Sequence, residues 1–442
     1  MIYDKFNIKT EQNYSLATIS DNIAITRAYI TVDLHENNSV SDQANFFIYP
    51  EIMLAGAGQR NRVEFINTLR ELGAEIDIFV SDNKLTFKLT SLSDKFSSLI
   101  DLFTDMVEAP AFNGKELERI KYNIVNKLEL LKEDSKFVAA TAFKNAIYPV
   151  NSRYNHAPLN KLAATVSRIG FKDLSDLHER LLDKYWRVTV VGPRKNIKVL
   201  SHTLESLRKN RTDIQGGKND NEVKSDFKKI NTKPRLLLHS IPGKQNIDFV
   251  IGAPLPIDFY HEDYMPISFA LAVLGKWGGF AGRLMSTVRE KEGLTYGIYS
   301  RLDGFYRHEF GYWQVVTFFS PEKVVNGLKS TFREVKKIST RGITGNELEK
   351  FKTIMRTGET LLQDSPLSQV ANFHFFHQQD FSVEDIKKRI DKINEFDVKT
   401  VNNVIKKYLN HESLFVSGAG PIKGPQQEIN LFFDNLLNFD KL

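Results

Sequence analysis

The 442-residue chain contains no cysteine, which excludes a disulfide framework, a thiol nucleophile, iron–sulfur ligation and cysteine-rich zinc modules. Long hydrophobic runs are also missing. The apolar stretch 269–274 is far shorter than the roughly 20 residues of a membrane span, so no membrane span is expected. Residues 1–9 lack the apolar core of a secretory leader. A cytoplasmic location is therefore expected, or a periplasmic one if a leader has been removed. There is no Gly-x-Ser-x-Gly elbow and no Walker loop. Gly275-Lys-Trp-Gly-Gly-Phe-Ala-Gly is rich in glycine, but no Lys-Ser/Thr pair follows it to hold a phosphate and magnesium. Neither His-Glu-x-x-His nor His-x-x-Glu-His occurs.

The residues present support sizeable cores: 41% of the chain is hydrophobic and 11% aromatic. The length suggests two domains. The net charge of +6 resides mostly between Arg208 and Arg235, where nine Lys/Arg face four Asp/Glu. That stretch is polar, contains Gly216 and Gly217, has no periodicity and holds one aromatic, Phe227. It reads as a basic, solvated linker over residues 211–233 rather than a nucleic-acid surface.

The segments on either side resemble each other. Phe96, Leu99 and Ile100 recur as Val324, Val325 and Leu328, and Glu116-Leu-Glu-Arg-Ile-Lys as Glu347-Leu-Glu-Lys-Phe-Lys. The closing helix and strand from Phe171 to Pro193 recur from Phe396 to Pro421, and all four matches keep offsets of 225–231 residues. The chain therefore reads as a duplication, with domains 1–210 and 234–442. Strand patterns fall at 24–34, 75–80, 84–89 and 187–191, then at 247–251, 295–301, 309–319 and 414–417. Helical spacing falls at 62–72, 94–107 and 115–132, then at 282–292, 321–338 and 346–362. Strands in pairs followed by runs of helices predict an α+β fold, with a mostly antiparallel sheet and helices on one face in each domain.

Two constellations could carry chemistry. His374 and His377 can share a helix face, but Phe373-His-Phe-Phe-His-Gln-Gln-Asp offers no carboxylate pair, so a packed aromatic helix is expected rather than a metal site. The second lies in Thr287-Val-Arg-Glu-Lys-Glu-Gly-Leu-Thr-Tyr. Here Arg289 is expected on the last turn of a helix and Tyr296 on the strand after a glycine turn. A guanidinium and a phenol brought to one point would suit a carbonyl oxygen that gains charge during amide hydrolysis.

The run from Gly278 to Tyr296, Gly-Gly-Phe-Ala-Gly-Arg-Leu-Met-Ser-Thr-Val-Arg-Glu-Lys-Glu-Gly-Leu-Thr-Tyr, resembles the C-terminal-domain signature of the M16 family of zinc metallopeptidases (pitrilysin, insulinase and processing peptidases). The resemblance covers nearly the whole chain, through the duplicated halves, the Glu-Leu-Glu-Arg helix, the Tyr148-Pro loop and the Val-Val-Gly-Pro closing strand. It implies two M16-type domains, with Gly278, Gly279 and Phe280 in a loop near the site. Active members carry His-x-x-Glu-His in the first domain and a glutamate ligand some 75 residues later. Aligned on Met53-Leu54, this chain has Ile48, Glu51 and Ile52 at the motif positions; shifted by one it has Phe47, Pro50 and Glu51. Lys127 falls near the distal ligand, with Glu129 two residues on. Neither register supplies a histidine, and Pro50 is expected to distort the helix.

The resemblance thus implies no metal in this chain. Arg289 and Tyr296 match the family's substrate clamp. Together these points imply a non-catalytic, peptide-binding subunit whose partner, an M16 chain bearing His-x-x-Glu-His, supplies the zinc. A homodimer formed in isolation would be inert. The alternatives are an M16-fold scaffold or binding protein without a proteolytic role, and a hydrolase with another metal site around His374 and His377.

Overall fold

The computed structural model describes residues 5–34, 38–82, 84–209, 235–275, 282–362, 364–410 and 414–436. In chain order the first elements are β1 (Asn7–Thr10), β2 (Tyr14–Ser20), β3 (Ile25–Asp33), α1 (Val40–Met53), β4 (Gly56–Ala57), β5 (Arg60–Asn61), α2 (Arg62–Glu71), β6 (Glu75–Ser81) and β7 (Lys84–Leu92). Then come α3 (Phe96–Glu108), α4 (Gly114–Lys132), α5 (Ser135–Ile147), α6 (Leu159–Val166), α7 (Phe171–Asp183), β8 (Trp186–Gly192) and α8 (Arg194–Arg208). The later elements begin with β9 (Arg235–Ser240), β10 (Ile247–Pro254), α9 (Tyr264–Gly275), a π-helix (Met285–Lys291), β11 (Ile298–Asp303) and β12 (Tyr312–Phe319). They end with α10 (Val324–Arg341), α11 (Gly345–Leu361), α12 (Pro366–His377), α13 (Val383–Glu395), α14 (Val398–Tyr408), β13 (Phe415–Gly420) and α15 (Gln426–Leu436).

The chain divides into two compact units. One takes the described residues of 1–129, 157–221 and 358–389, the other those of 130–156, 222–357 and 390–442. The linker expected at 211–233 lies outside the described residues. Two segments belong to a unit other than the one their sequence position suggests: 130–156, which carries α5, and 358–389, which carries α12.

In the first unit the sheet order is β1-β2-β8-β3-β7-β6. Every pairing is antiparallel except β2 with β8. Strand alternation puts Leu16, Ile30, Phe87 and Val188 on one face, where they meet Phe65, Leu99, Phe103 and Leu200 from α2, α3 and α8 in a single core. The second unit has the order β11-β12-β10-β13-β9, again antiparallel but for one pair, β13 with β9. Its core joins Phe249, Ile251, Trp313 and Val315 to α9, α10 and α14. The shared order β8-β3-β7-β6 and β13-β10-β12-β11 is the duplication seen as topology.

The α+β class and the mostly antiparallel sheets agree with the reading of the sequence, and each unit adds a helix on the opposite sheet face. In the second unit α5 covers it with Ala139, Phe143 and Ile147 against Val250, Tyr312 and Phe415. Tyr148, just beyond α5, is buried and donates to the Phe310 carbonyl at 3.0 Å. In the first unit α12 crosses β8, β3 and β2. No described helix is long and apolar enough to cross a membrane.

Candidate functional site

Arg289 sits in the last turn of the π-helix, where an α-helix was expected. The Glu292 N–H donates five residues back to Thr287, the wide turn that recurs at functional sites. Gly293 then reverses the chain at φ +61°, a left-handed conformation that costs glycine nothing. Its N–H donates to the Arg289 carbonyl, and Leu294 N–H to that of Val288, both at 3.0 Å. The buried Thr295 hydroxyl both donates to the Gly297 carbonyl and accepts from the Gly297 N–H, at 3.2 Å each. Thr317 donates to the same carbonyl at 3.1 Å, and Lys323 Nζ donates to the Gly293 carbonyl at 3.0 Å.

With its neighbour Thr295 turned inward, Tyr296 points out and is 86% exposed. It lies on a loop two residues ahead of β11, not on the strand as the pattern suggested, because the Thr295–Gly297 turn closes before the ladder starts at Ile298 opposite Thr317. Arg289 and Tyr296 line one open concavity of about 390 Å³ together with Leu294, Phe318, Asn246 and Lys323. Lys323 and Thr317 escaped the sequence reading because nothing in their local pattern ties them to a loop 20–30 residues earlier. Gly278, Gly279 and Phe280 lie outside the described residues.

The positions that correspond to a zinc motif fall on α1. Ile48 and Ile52 are completely buried, Glu51 is exposed, and Phe47 and Pro50 are partly buried. Pro50 does not end the helix: α1 runs through it to Met53. The proline lies in the final turn, so it forfeits one ladder bond just before the helix ends. Lys127 and Glu129 are exposed on α4, off the buried stripe of Leu117, Ile120, Ile124 and Leu128. Among the described residues no group of three or more His, Asp or Glu side chains could hold a metal ion. His374 and His377 are buried with both ring nitrogens of each bonded to hydroxyls of Ser15, Thr31 and Thr189, as suits packed histidines rather than ligands.

A sheet-and-helix unit occurs twice, and its second copy places an Arg–Tyr pair on one concavity. Comparison with known proteins names the family. Residues 45–156 match the model of insulinase (peptidase family M16), and residues 188–355 that of the peptidase M16 inactive domain. The chain belongs to peptidase family M16.

It is similar to a non-peptidase homolog, YmxG, of Helicobacter pylori, at 21% identity over 87% of both chains. It is also similar to an uncharacterized zinc protease of Mycobacterium tuberculosis, at 23% identity over 85% of this chain and 83% of that one. In fold it matches a peptidase M16 inactive domain from Pseudomonas fluorescens with a TM-score of 0.79 at 19% identity, covering 94% of this chain and 98% of the other. A Helicobacter pylori protease gives a TM-score of 0.77 at 14% identity, covering 94% and 99%.

Proposed function

We propose that this chain is the non-catalytic, substrate-binding subunit of a heterodimeric M16 zinc metalloendopeptidase. A partner chain bearing His-x-x-Glu-His supplies zinc and the general base; this chain supplies Arg289 and Tyr296. The observation that carries the reading is that these two donors border one open concavity; it is supported by the sequence, in which neither alignment of the family's zinc motif on α1 supplies a histidine.

The two groups determine the chemistry. A peptide carbonyl that becomes tetrahedral gathers negative charge on its oxygen, and a guanidinium N–H and a phenolic O–H stabilise that charge more than they stabilise the neutral carbonyl. A zinc ion held by the partner's motif would supply polarisation of the same bond and an activated water. The work of this chain is to hold the extended peptide and aim two donors.

The test begins with capture of the tagged chain from its source, identification of bound chains and a zinc count. A roughly 1:1 partner with His-x-x-Glu-His and peptidase activity found only in the pair is the expected result. In that pair, Arg289→Ala and Tyr296→Phe each lower turnover by about 10²–10³ with assembly intact. Full turnover in both variants would discard the clamp. Failure to find any zinc-bearing partner would leave the scaffold reading instead.

A further inference from the structure

The two helices that cover the opposite sheet faces do so with different chemistry. α5 uses an apolar contact, whereas the face beneath α12 is polar. Register partners point the same way, so the pairings Thr31 with Thr86, Thr31 with Arg187, Ser15 with Arg187 and Thr189 with Tyr29 put all these side chains on the face that α12 crosses. His374 and His377 enter it at 5% and 4% exposure.

The hydrogen bonds form one chain. Thr86 Oγ1 meets Thr31 Oγ1 at 2.7 Å, and Thr31 Oγ1 meets His374 Nε2 at 2.8 Å. Thr189 Oγ1 bridges His374 Nδ1 at 2.9 Å and His377 Nδ1 at 3.0 Å, and His377 Nε2 ends on Ser15 Oγ at 2.8 Å. A hydroxyl has one hydrogen. Thr189 therefore donates to one Nδ1 and accepts from the other, and the two rings take opposite tautomers. With both imidazoles neutral the chain closes in either direction; a protonated ring would find hydroxyl acceptors there but no carboxylate bonded to it.

The charged groups around the pair are mainly cationic, and the one carboxylate that favours a proton on His377, Asp380, is held by Arg187. β8 presents Arg187, held by Asp380 just past α12 at 2.7 and 3.0 Å. Lys84 of β7 acts on His374, and Tyr29 of β3 stacks on it at 5.1 Å between centroids. Tyr185, before β8, bonds Ser15 of β2. Every hydrogen-bond partner of the two rings is a hydroxyl.

We propose that α12 is an acid-released latch: docked while His374 and His377 are neutral, and freed from the first unit's sheet when its release lets both rings take up protons. Burial and, less strongly, Arg187 push His377 down to about 3 against the opposing pull of Asp380; burial, then His377 and nearby cations, hold His374 well below the usual imidazole range. In water the same rings titrate near their ordinary value, about 6.5. Release therefore binds two protons at pH values where the docked state binds none. The released fraction climbs by up to about 100-fold per pH unit below about 6.

The test is hydrogen exchange on the full chain, followed by peptide mass spectrometry between about pH 7 and about pH 5 and corrected for intrinsic rates. The latch predicts that α12 loses at least about 10-fold of its protection on acidification while β2 and β8 keep theirs. The variant His377→Gln, which keeps a donor and an acceptor but does not titrate, halves the slope against pH. Thr189→Val serves as a second variant, opening α12 already at neutral pH if the bridge matters. Protection of α12 that ignores pH, loss shared equally with β2 and β8, or an unchanged slope in His377→Gln would each overturn the proposal.

Discussion

At the scale of single residues, the Arg–Tyr pair depends on one backbone conformation. Gly293 holds φ +61° with nothing within 4 Å of where a Cβ would stand, so Gly293→Ala tests the conformation without a clash. The left-handed region costs an alanine about 1–2 kcal/mol, expected as a fall of roughly 2–4 °C per kcal/mol in the second unit's thermal midpoint. If the proposed pairing with a zinc-bearing chain holds, the same variant lowers the pair's turnover, because the turn that presents Tyr296 starts there. An unchanged midpoint would mean that the loop relaxes into another path. The sequence revealed Arg289 and Tyr296 because their spacing is local. It hid Thr295, Thr317 and Lys323, whose bonds to Gly293 and Gly297 arise only when strand and loop have met. It also suggested a strand position for Tyr296, because alternation does not register a side-chain-closed turn.

At the scale of elements, the repeated Glu-Leu-Glu motif has a structural explanation. Glu347 Oε2 accepts from the Thr344 N–H at 2.8 Å at the start of α11, and Arg283 grips both carboxylate oxygens at 2.7 and 2.8 Å. Its counterpart Glu116, at the start of α4, pairs with Arg119 and Arg62. Burial alone would raise the Glu347 carboxyl, yet Arg283 and Thr344 outweigh it and bring the pKa to about 2. A depressed folded value means stability that is complete above the unfolded pKa, about 4.3, and is lost as pH falls through 2. Glu347→Gln should cost about 2 kcal/mol at neutral pH, and urea midpoints of variant and parent should converge on acidification. A gap that persists at low pH would assign the cost to packing instead. Helices α2, α3, α4, α10 and α11 were legible because 3–4 spacing survives in isolation, whereas α5, α6, α8, α9, α13 and α15 were not read. Strands β1 and β9 were missed, being short and largely exposed, and so was β2, which is buried along nearly all its length. The π-helix could not be told from an α-helix, since both bury one side over so short a run.

At the scale of the whole molecule, duplication was readable from offsets, but the destinations of α5 and α12 were not: each packs on a sheet built mainly from the other half of the sequence. The same distance from sequence to contact governs the lost metal site. Writing histidines back into the motif, Ile48→His with Ile52→His, would restore His-x-x-Glu-His on paper around Glu51. In the fold it replaces two side chains that are completely buried in the first unit with polar rings. Losing each buried isoleucine removes about 1.5–3 kcal/mol of apolar burial, and each ring brings two nitrogens needing partners that this packing was not built to supply. Glu51 stays exposed, and the region of the distal ligand presents the Lys127 ammonium from α4, so two imidazoles would lack the third protein ligand of a catalytic zinc site. The double variant should therefore unfold several kcal/mol earlier in urea and bind no stoichiometric zinc on equilibrium dialysis. Tight zinc binding with peptidase activity in the variant alone would mean that the chain needs only its ligands back. The case for a separate zinc-bearing chain would then rest on the Arg–Tyr concavity alone.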